Sequence, residues 1–421
     1  MRNHLRIALA VMTAASSIAA CSSATTSGSS PARSPDASPS SSRSASGGTT
    51  PNCWATNQSV ADPTAPHGIF VLEGNAQGAT GQAILKYLLP NPDVCGVDLW
   101  VRWNQVDRGP QAASRYDWSG VQATIAPWEQ AGKEVNLIMI GAAEGASQTQ
   151  GATPSYVLSQ VQVVTCCGQS QPTPVFWQTG YENNWHDFIA QTLSHFASDS
   201  HVGYLRFGIG TGGEGLVGPA ADRAGPCKQQ WDAAGYQTQW PAYNQRLIAF
   251  EASQHSVHQL MIGLNNFDNG NTLAASNVAQ ASAAGIGFGQ QGLMARDISD
   301  IATNATCVPA DWCHLFRQYA GKVPLEVQQL ADSNPSGAPA TPGVTGTGPG
   351  SQESVSTGPL PPLLTAALSV NAQIFEVYAT ELLLAFDPAW PGHDKYGAQY
   401  AAAFASLARV VGTAGGAQPV G

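Results

Sequence analysis

Charge is scarce in this chain. Only 11% of its 421 residues are Asp, Glu, Lys or Arg, against about 25% in an average soluble domain. The surface must therefore be built from amides, hydroxyls and glycine. Basic residues are the rarer kind, with 18 Lys and Arg against 28 Asp and Glu and a net charge of −10. Such a chain lacks the electrostatic footprint for polyanions, so no nucleic-acid partner is expected. Several chemical signatures are missing too. No Cys-x-x-Cys spacing exists, and His255-Ser256-Val257-His258 lacks the glutamate and spacing of a zinc protease, so no metal is expected. No Gly-x-Ser-x-Gly elbow is present, which leaves a serine hydrolase without its nucleophile turn. The glycine-rich run from Gly208 to Gly215 is not followed by Gly-Lys-Ser/Thr, so it is no phosphate loop, and no cofactor is expected.

Long apolar runs are absent as well. The nearest, Ile7 to Ala20, is uncharged but shorter than the about 20 residues that a spanning helix needs. It follows a basic start at Arg2, His4 and Arg6, and so reads as an export signal over residues 1–20. The signal ends in Ile18-Ala19-Ala20-Cys21, which resembles the lipobox of bacterial lipoproteins. The resemblance implies that Cys21 is lipidated and becomes the mature N-terminus. The expected location is extracytoplasmic, with the N-terminal lipid as the only membrane contact. Residues 21–51 are almost wholly Ser, Ala, Thr, Pro and Gly, and only Arg33, Asp36 and Arg43 are charged. A stretch with so little to bury reads as a flexible tether.

Residues 52–421 are expected to form one folded domain. Seven cysteines follow Cys21, an odd number in a compartment where cysteines can pair. Cys307 and Cys313 are close enough for a local staple. Cys53 with Cys95, and Cys166 or Cys167 with Cys227, are plausible pairings that spacing does not decide. Short β-branched and aromatic runs alternate with helical patterns along this part. Strands are expected near residues 68–72, 96–101, 134–140, 202–209, 258–264, 285–288, 323–327 and 373–378. Most are apolar on both faces, as in a parallel sheet covered by helices. Eight such strands predict a (β/α)8 TIM barrel, with an open doubly wound sheet as the alternative. The Gly/Pro/Thr/Ser-rich segment at about 333–362 breaks the rhythm and reads as a long loop.

Barrel active sites are assembled at the C-terminal ends of the strands. Carboxylates and amides recur there. Glu73 ends the first strand, Arg102-Trp103-Asn104 follows the second, and Glu144 follows the third. Glu214 lies beyond the fourth, Asn265, Asn266 and Asp268 beyond the fifth, and Gln290 and Gln291 beyond the sixth. Glu326 sits in the seventh strand, and Glu376 with Tyr378 in the eighth.

From this point the chain resembles a known group. Trp100-Val101-Arg102-Trp103-Asn104-Gln105-Val106, followed by Ser114-Arg115-Tyr116-Asp117-Trp118-Ser119, is similar to the clan A retaining glycoside hydrolases, with families 42, 35 and 5 nearest. The segment from Phe176-Trp177 to Glu214 resembles their fourth βα unit, and Pro324-Leu325-Glu326-Val327 falls where their seventh strand does. The resemblance implies a saccharide substrate, Glu214 as acid/base and Glu326 as nucleophile, with Glu376 as its rival. It departs at Gly213, where clan members commonly carry an Asn that binds the sugar 2-hydroxyl. Acetal cleavage requires one carboxyl group to protonate the leaving oxygen and, in a retaining enzyme, a second about 5–5.5 Å away to attack the anomeric carbon. Glu214 must then be held protonated and Glu326 ionised, with Arg102 the nearest cation in the sequence pattern. Arg102, Trp103, Glu73, Asn265, Gln290, Glu376 and Tyr378 are expected to bind substrate, with Trp103 as the aromatic platform. A barrel that binds carbohydrate without cleaving it, or a solute receptor, is the alternative.

Overall fold

A computed structural model describes residues 66–72, 76–142, 151–165, 172–218, 225–264, 271–303, 307, 311–330, 332–333 and 358–413. The export signal, the tether, Glu73, Glu144, Asn265, Asn266, Asp268 and most of the long loop lie outside these residues. Cys53, Cys166 and Cys167 lie outside them too.

Eight parallel strands close into a barrel. They are β1 (Gly68–Leu72), β2 (Gly96–Arg102), β3 (Glu134–Ile140), β4 (Val202–Phe207), β5 (Gln259–Gly263), β6 (Gly287–Leu293), β7 (Leu325–Gln329) and β8 (Ile374–Tyr378). Each pairs with the next in chain order, and β8 closes on β1 with Gly68 opposite Ile374. The (β/α)8 barrel is thus the observed fold, and every expected strand is present. The sixth begins two residues later than expected and extends through Gln290 and Gln291 to Leu293. Helices cover the outside, among them Ser119–Gln130, Thr179–Phe196, Tyr236–Ser253 and Ala398–Thr413. Cys307 and Cys313 form the local disulfide, and Cys95 and Cys227 are also disulfide-bonded.

Alternation along each strand divides the core in two. Outward residues such as Val97, Leu99, Leu137, Leu205 and Val327 pack under the helices. Inward residues fill the barrel in layers. Phe70, Cys95, Tyr204, Met261 and Ile374 form an apolar floor at the N-terminal end. Leu72, Ile138, Ile140, Ala152 and Tyr378, with Trp100 against them, form a layer at the mouth. The layer between these two is polar.

Candidate active site

The middle layer holds Asp98 from β2, Arg206 from β4, Gln291 from β6, Glu326 from β7 and Glu376 from β8. All are inward-facing and at most 1% exposed. Arg206 Nη1 donates to Glu326 Oε2 at 2.6 Å and to Glu376 Oε1 at 2.8 Å, and Nη2 donates to Glu376 Oε2 at 3.3 Å. Tyr204 carries one hydroxyl proton yet lies within hydrogen-bonding distance of both Asp98 Oδ1, at 3.2 Å, and Glu376 Oε1. Burial, and then the neighbouring charge of Glu376, hold Asp98 well above the usual carboxylate range. Burial and Glu376 likewise push Glu326 up, against the lowering pull of Arg206. One guanidinium thus bonds two buried carboxyl groups beside a third, and burial favours the protonated forms of Asp98 and Glu326.

Other buried acids share this property. Burial pushes Glu381 up to about 8 and Asp297 up to about 6, and it raises Glu134 and Glu251 strongly. Carboxyl groups of an unfolded chain titrate near pH 4. Between about pH 4 and pH 8 the folded state therefore holds more protons than the unfolded one, and stability falls as pH rises through that window. Lys133, lowered by burial to about 8, acts in the opposite sense only above that pH. The midpoint of thermal unfolding, followed by circular dichroism, is expected to be several degrees higher at pH 5 than at pH 8. A midpoint that rises with pH over this range would contradict the protonated array.

Above the array, the chain leaving β4 turns back over the mouth. Gly212 and Gly213 take left-handed conformations, at φ 69° and 81°, which an L side chain rarely adopts. Gly212 N donates to Ala142 O at 2.9 Å, Gly210 N to Glu214 O at 2.8 Å and Thr211 N to Leu216 O at 2.8 Å. This turn sets Glu214, half-buried, at the end of β5. A Cβ built on Gly263 would meet Glu214 Cα at 3.3 Å and Gln291 Oε1 at 2.7 Å. The Glu214 backbone thus lies beside Gln291, whose side chain bonds Glu326, which shares Arg206 with Glu376. Ala152 packs among Leu72, Ile138, Ile140 and Tyr378 at the mouth, and its segment is held by Asn104 N donating to Ala152 O at 2.8 Å and Thr153 Oγ1 to Gly141 O at 2.6 Å. Beside it lies a cavity of about 440 Å³, lined by Asn104, Arg108, Ala152, Thr153 and Tyr156 among others.

Three expectations need correction. Trp103 is no ligand platform: it is fully buried, packed against Tyr181, Trp185 and Phe188, and its Nε1 donates to Asp107 at 3.1 Å. The alternation of β2 turns Asp98, Trp100 and Arg102 inward and leaves Trp103 on the helix side. Trp100, half-buried at the mouth, is the aromatic side chain that faces the barrel. Gln290 faces outward by the same alternation, and its Nε2 donates to the Gln291 carbonyl at 3.0 Å. The inward amide is Gln291. The cation beside Glu326 is Arg206 from β4, not Arg102, which stays half-buried at the end of β2. Glu376 and Tyr378 do face inward, in the middle layer and at the mouth. Sequence reasoning left Asp98, Trp100, Tyr204 and Arg206 out of the inward set and chose Gln290 over its neighbour Gln291. The signal that finds them is strand parity counted from a single inward anchor on each strand.

No family model and no curated protein matches the chain. Among solved structures, it is similar to the catalytic domain of beta-amylase from Paenibacillus polymyxa, with TM-score 0.48, 12% identity, and 74% of this chain and 92% of that one covered. It is also similar to a GH5-4 broad specificity endoglucanase from an uncultured bacterium, with TM-score 0.46, 10% identity, and 86% and 98% covered. Endo-glycoceramidase II from Rhodococcus sp. matches with TM-score 0.42, 12% identity, and 75% and 73% covered. These are likenesses of fold.

Proposed function

We propose that the chain is a glycoside hydrolase that works outside the cytoplasm, held by lipid on Cys21, and cleaves an oligo- or polysaccharide with two carboxyl groups. The observation that carries the reading is the placement of Glu214. A glycine-built turn sets the backbone of half-buried Glu214 beside Gly263 at the end of β5, next to Gln291, which bonds Glu326 in the buried array. Glu214 protonates the leaving oxygen and later takes a proton from water. Glu326 is the second carboxyl group: burial and Glu376 favour its protonated form, Arg206 pulls toward the ionised form, and attack requires the ionised form. Trp100 and Tyr378 offer aromatic surface to the apolar face of a sugar.

One observation favours a second reading. Glu326 is wholly buried beneath Gln291 and already paired with Arg206. A barrel in that state binds a sugar at its mouth without cutting it. Assaying the secreted domain against a panel of aryl glycosides and polysaccharides separates the two. Turnover of any member supports the hydrolase, whereas sugar binding with no turnover supports the binding protein. Cys21→Ala is expected to move the protein from the membrane fraction to the medium with its activity unchanged. Retention on the membrane would show a different anchor.

A further inference from the structure

The two-carboxylate scheme leaves unused the cavity of about 440 Å³ between Asn104–Arg108 and the segment from Gly151 to Leu158. Its volume falls within the range of small-molecule sites, about 300–1,000 Å³. Asp107, one of its walls, is 3% exposed and holds the surroundings in place. It accepts from Trp103 Nε1 at 3.1 Å, Gly109 N at 2.8 Å, Arg115 Nη2 at 3.0 Å and Tyr156 Oη at 2.7 Å. The charges there are balanced within the protein. Arg115 is paired with Asp107 and Asp187, and Arg108 at the rim with Asp117. An anion therefore meets no unpaired cation among the described residues of this crevice. What remains is neutral hydrogen bonding. Asn104 Nδ2 is committed to Gly151 O at 2.5 Å, which leaves its Oδ1 to accept. The exposed Ser155 hydroxyl can donate or accept, and the Arg108 guanidinium keeps donors beyond the one that Asp117 takes. Pro154, Leu158 and Pro172 supply apolar surface between these groups. Neutral donors and acceptors set around apolar patches match the chemistry of a sugar ring.

The crevice adjoins the mouth. Ala152 lines it and also packs among Leu72, Ile138, Ile140 and Tyr378 in the mouth layer. Ile138 lies under the turn that carries Glu214, where a Cβ built on Gly213 would meet Ile138 Cγ2 at 3.0 Å. On the same side, β2 runs from Trp100 at the mouth through half-buried Arg102, and Asn104 follows two residues beyond its end.

We infer that this crevice is a distal subsite, which takes a neutral sugar unit of the same saccharide chain that lies across the mouth, with Asn104, Arg108 and Ser155 as its hydrogen-bonding residues. The inference rests on the reading that the mouth binds saccharide, and does not require that the saccharide be cleaved. Its consequence is a preference for chains over single sugars. Binding energy gained in the crevice is remote from the reacting bond and is available only to a ligand long enough to reach both places.

The test follows dependence on chain length. Aryl glycosides of cello-, xylo-, manno- and malto-oligosaccharides, from one unit to six, are assayed with wild type, Ser155→Trp and Arg108→Ala, with oligogalacturonates as the charged comparison. Ser155 and Arg108 are both exposed, so neither substitution opens the core. The tryptophan fills the crevice, whereas the alanine removes a donor and leaves the space. In the series that the wild type cleaves, kcat/KM is expected to rise by about 10- to 100-fold once the chain is long enough to enter the crevice, the worth of two or three hydrogen bonds. Ser155→Trp should lose that rise, and Arg108→Ala part of it. No rise in the wild type, or an undiminished rise in either variant, would overturn the inference. So would a preference for the oligogalacturonates that Ser155→Trp abolishes. If the wild type cleaves none of them, the hydrolase reading fails on its own, and the crevice is tested by calorimetry with the same oligosaccharides. Binding that strengthens with length in the wild type and not in Ser155→Trp sustains the subsite. Equal length dependence in the two proteins, or binding by neither, overturns it.

Discussion

Glu214→Ala is expected to lower kcat by about 10²- to 10⁴-fold on substrates with poor leaving groups, and far less on activated aryl glycosides. The reason is chemical. A sugar alkoxide departs only when protonated, whereas a nitrophenolate departs unaided, so removing the proton donor harms the first and spares the second. The turn from Gly210 to Leu216 is held by backbone hydrogen bonds. The measurement is kcat/KM across a series of aryl glycosides of graded leaving-group acidity. A slope that steepens in the variant assigns the acid. Equal losses across the series would remove Glu214 from that role.

The largest effect on stability is expected from Arg206→Met. The guanidinium is 1% exposed and is the countercharge for both Glu326 and Glu376. Removing one partner of a buried ionic set typically costs about 3–5 kcal/mol, because the remaining charges stay buried without compensation. The loss should depend on pH. Protonated carboxyl groups need no countercharge, so the variant should be closer to wild type at pH 5 than at pH 8. Urea unfolding at both values measures this. Arg206→Lys is not a conservative rescue, since an ammonium lacks the planar fork that spans two carboxylates. Wild-type stability of Arg206→Met at pH 8 would show that the array is not held by its charge.

The barrel was legible in the sequence because its strands are fully covered. Runs such as Glu134–Ile140 are buried at every position, and hydrophobicity alone marks them. The same property hid the site. A strand buried on both faces gives no amphipathic signal of which residues turn inward, so Trp103 was favoured over Trp100 and Gln290 over Gln291. Counting alternation from Asp98 in β2, or from Gly287 in β6, resolves both. The partner of Glu326 was beyond local reading. Arg206 lies 120 residues from Glu326 and 170 from Glu376, and only barrel closure brings them together. The turn that carries Glu214 was legible as a glycine-rich run beyond a strand end.

The most direct measurement of the central claim is azide rescue of two variants. Glu326→Gly removes one carboxylate and leaves Arg206 paired with Glu376, and Glu376→Gly does the reverse. With Glu326 as nucleophile, Glu326→Gly should be inactive alone and regain turnover in azide, which fills the vacated space and attacks the opposite anomeric face. The product should be a glycosyl azide of inverted configuration, identified by its anomeric proton resonance. A glycosyl azide from Glu376→Gly and none from Glu326→Gly would contradict the assignment and move the nucleophile to β8. Rescue of neither, beside an active wild type, would contradict the retaining two-carboxylate mechanism itself.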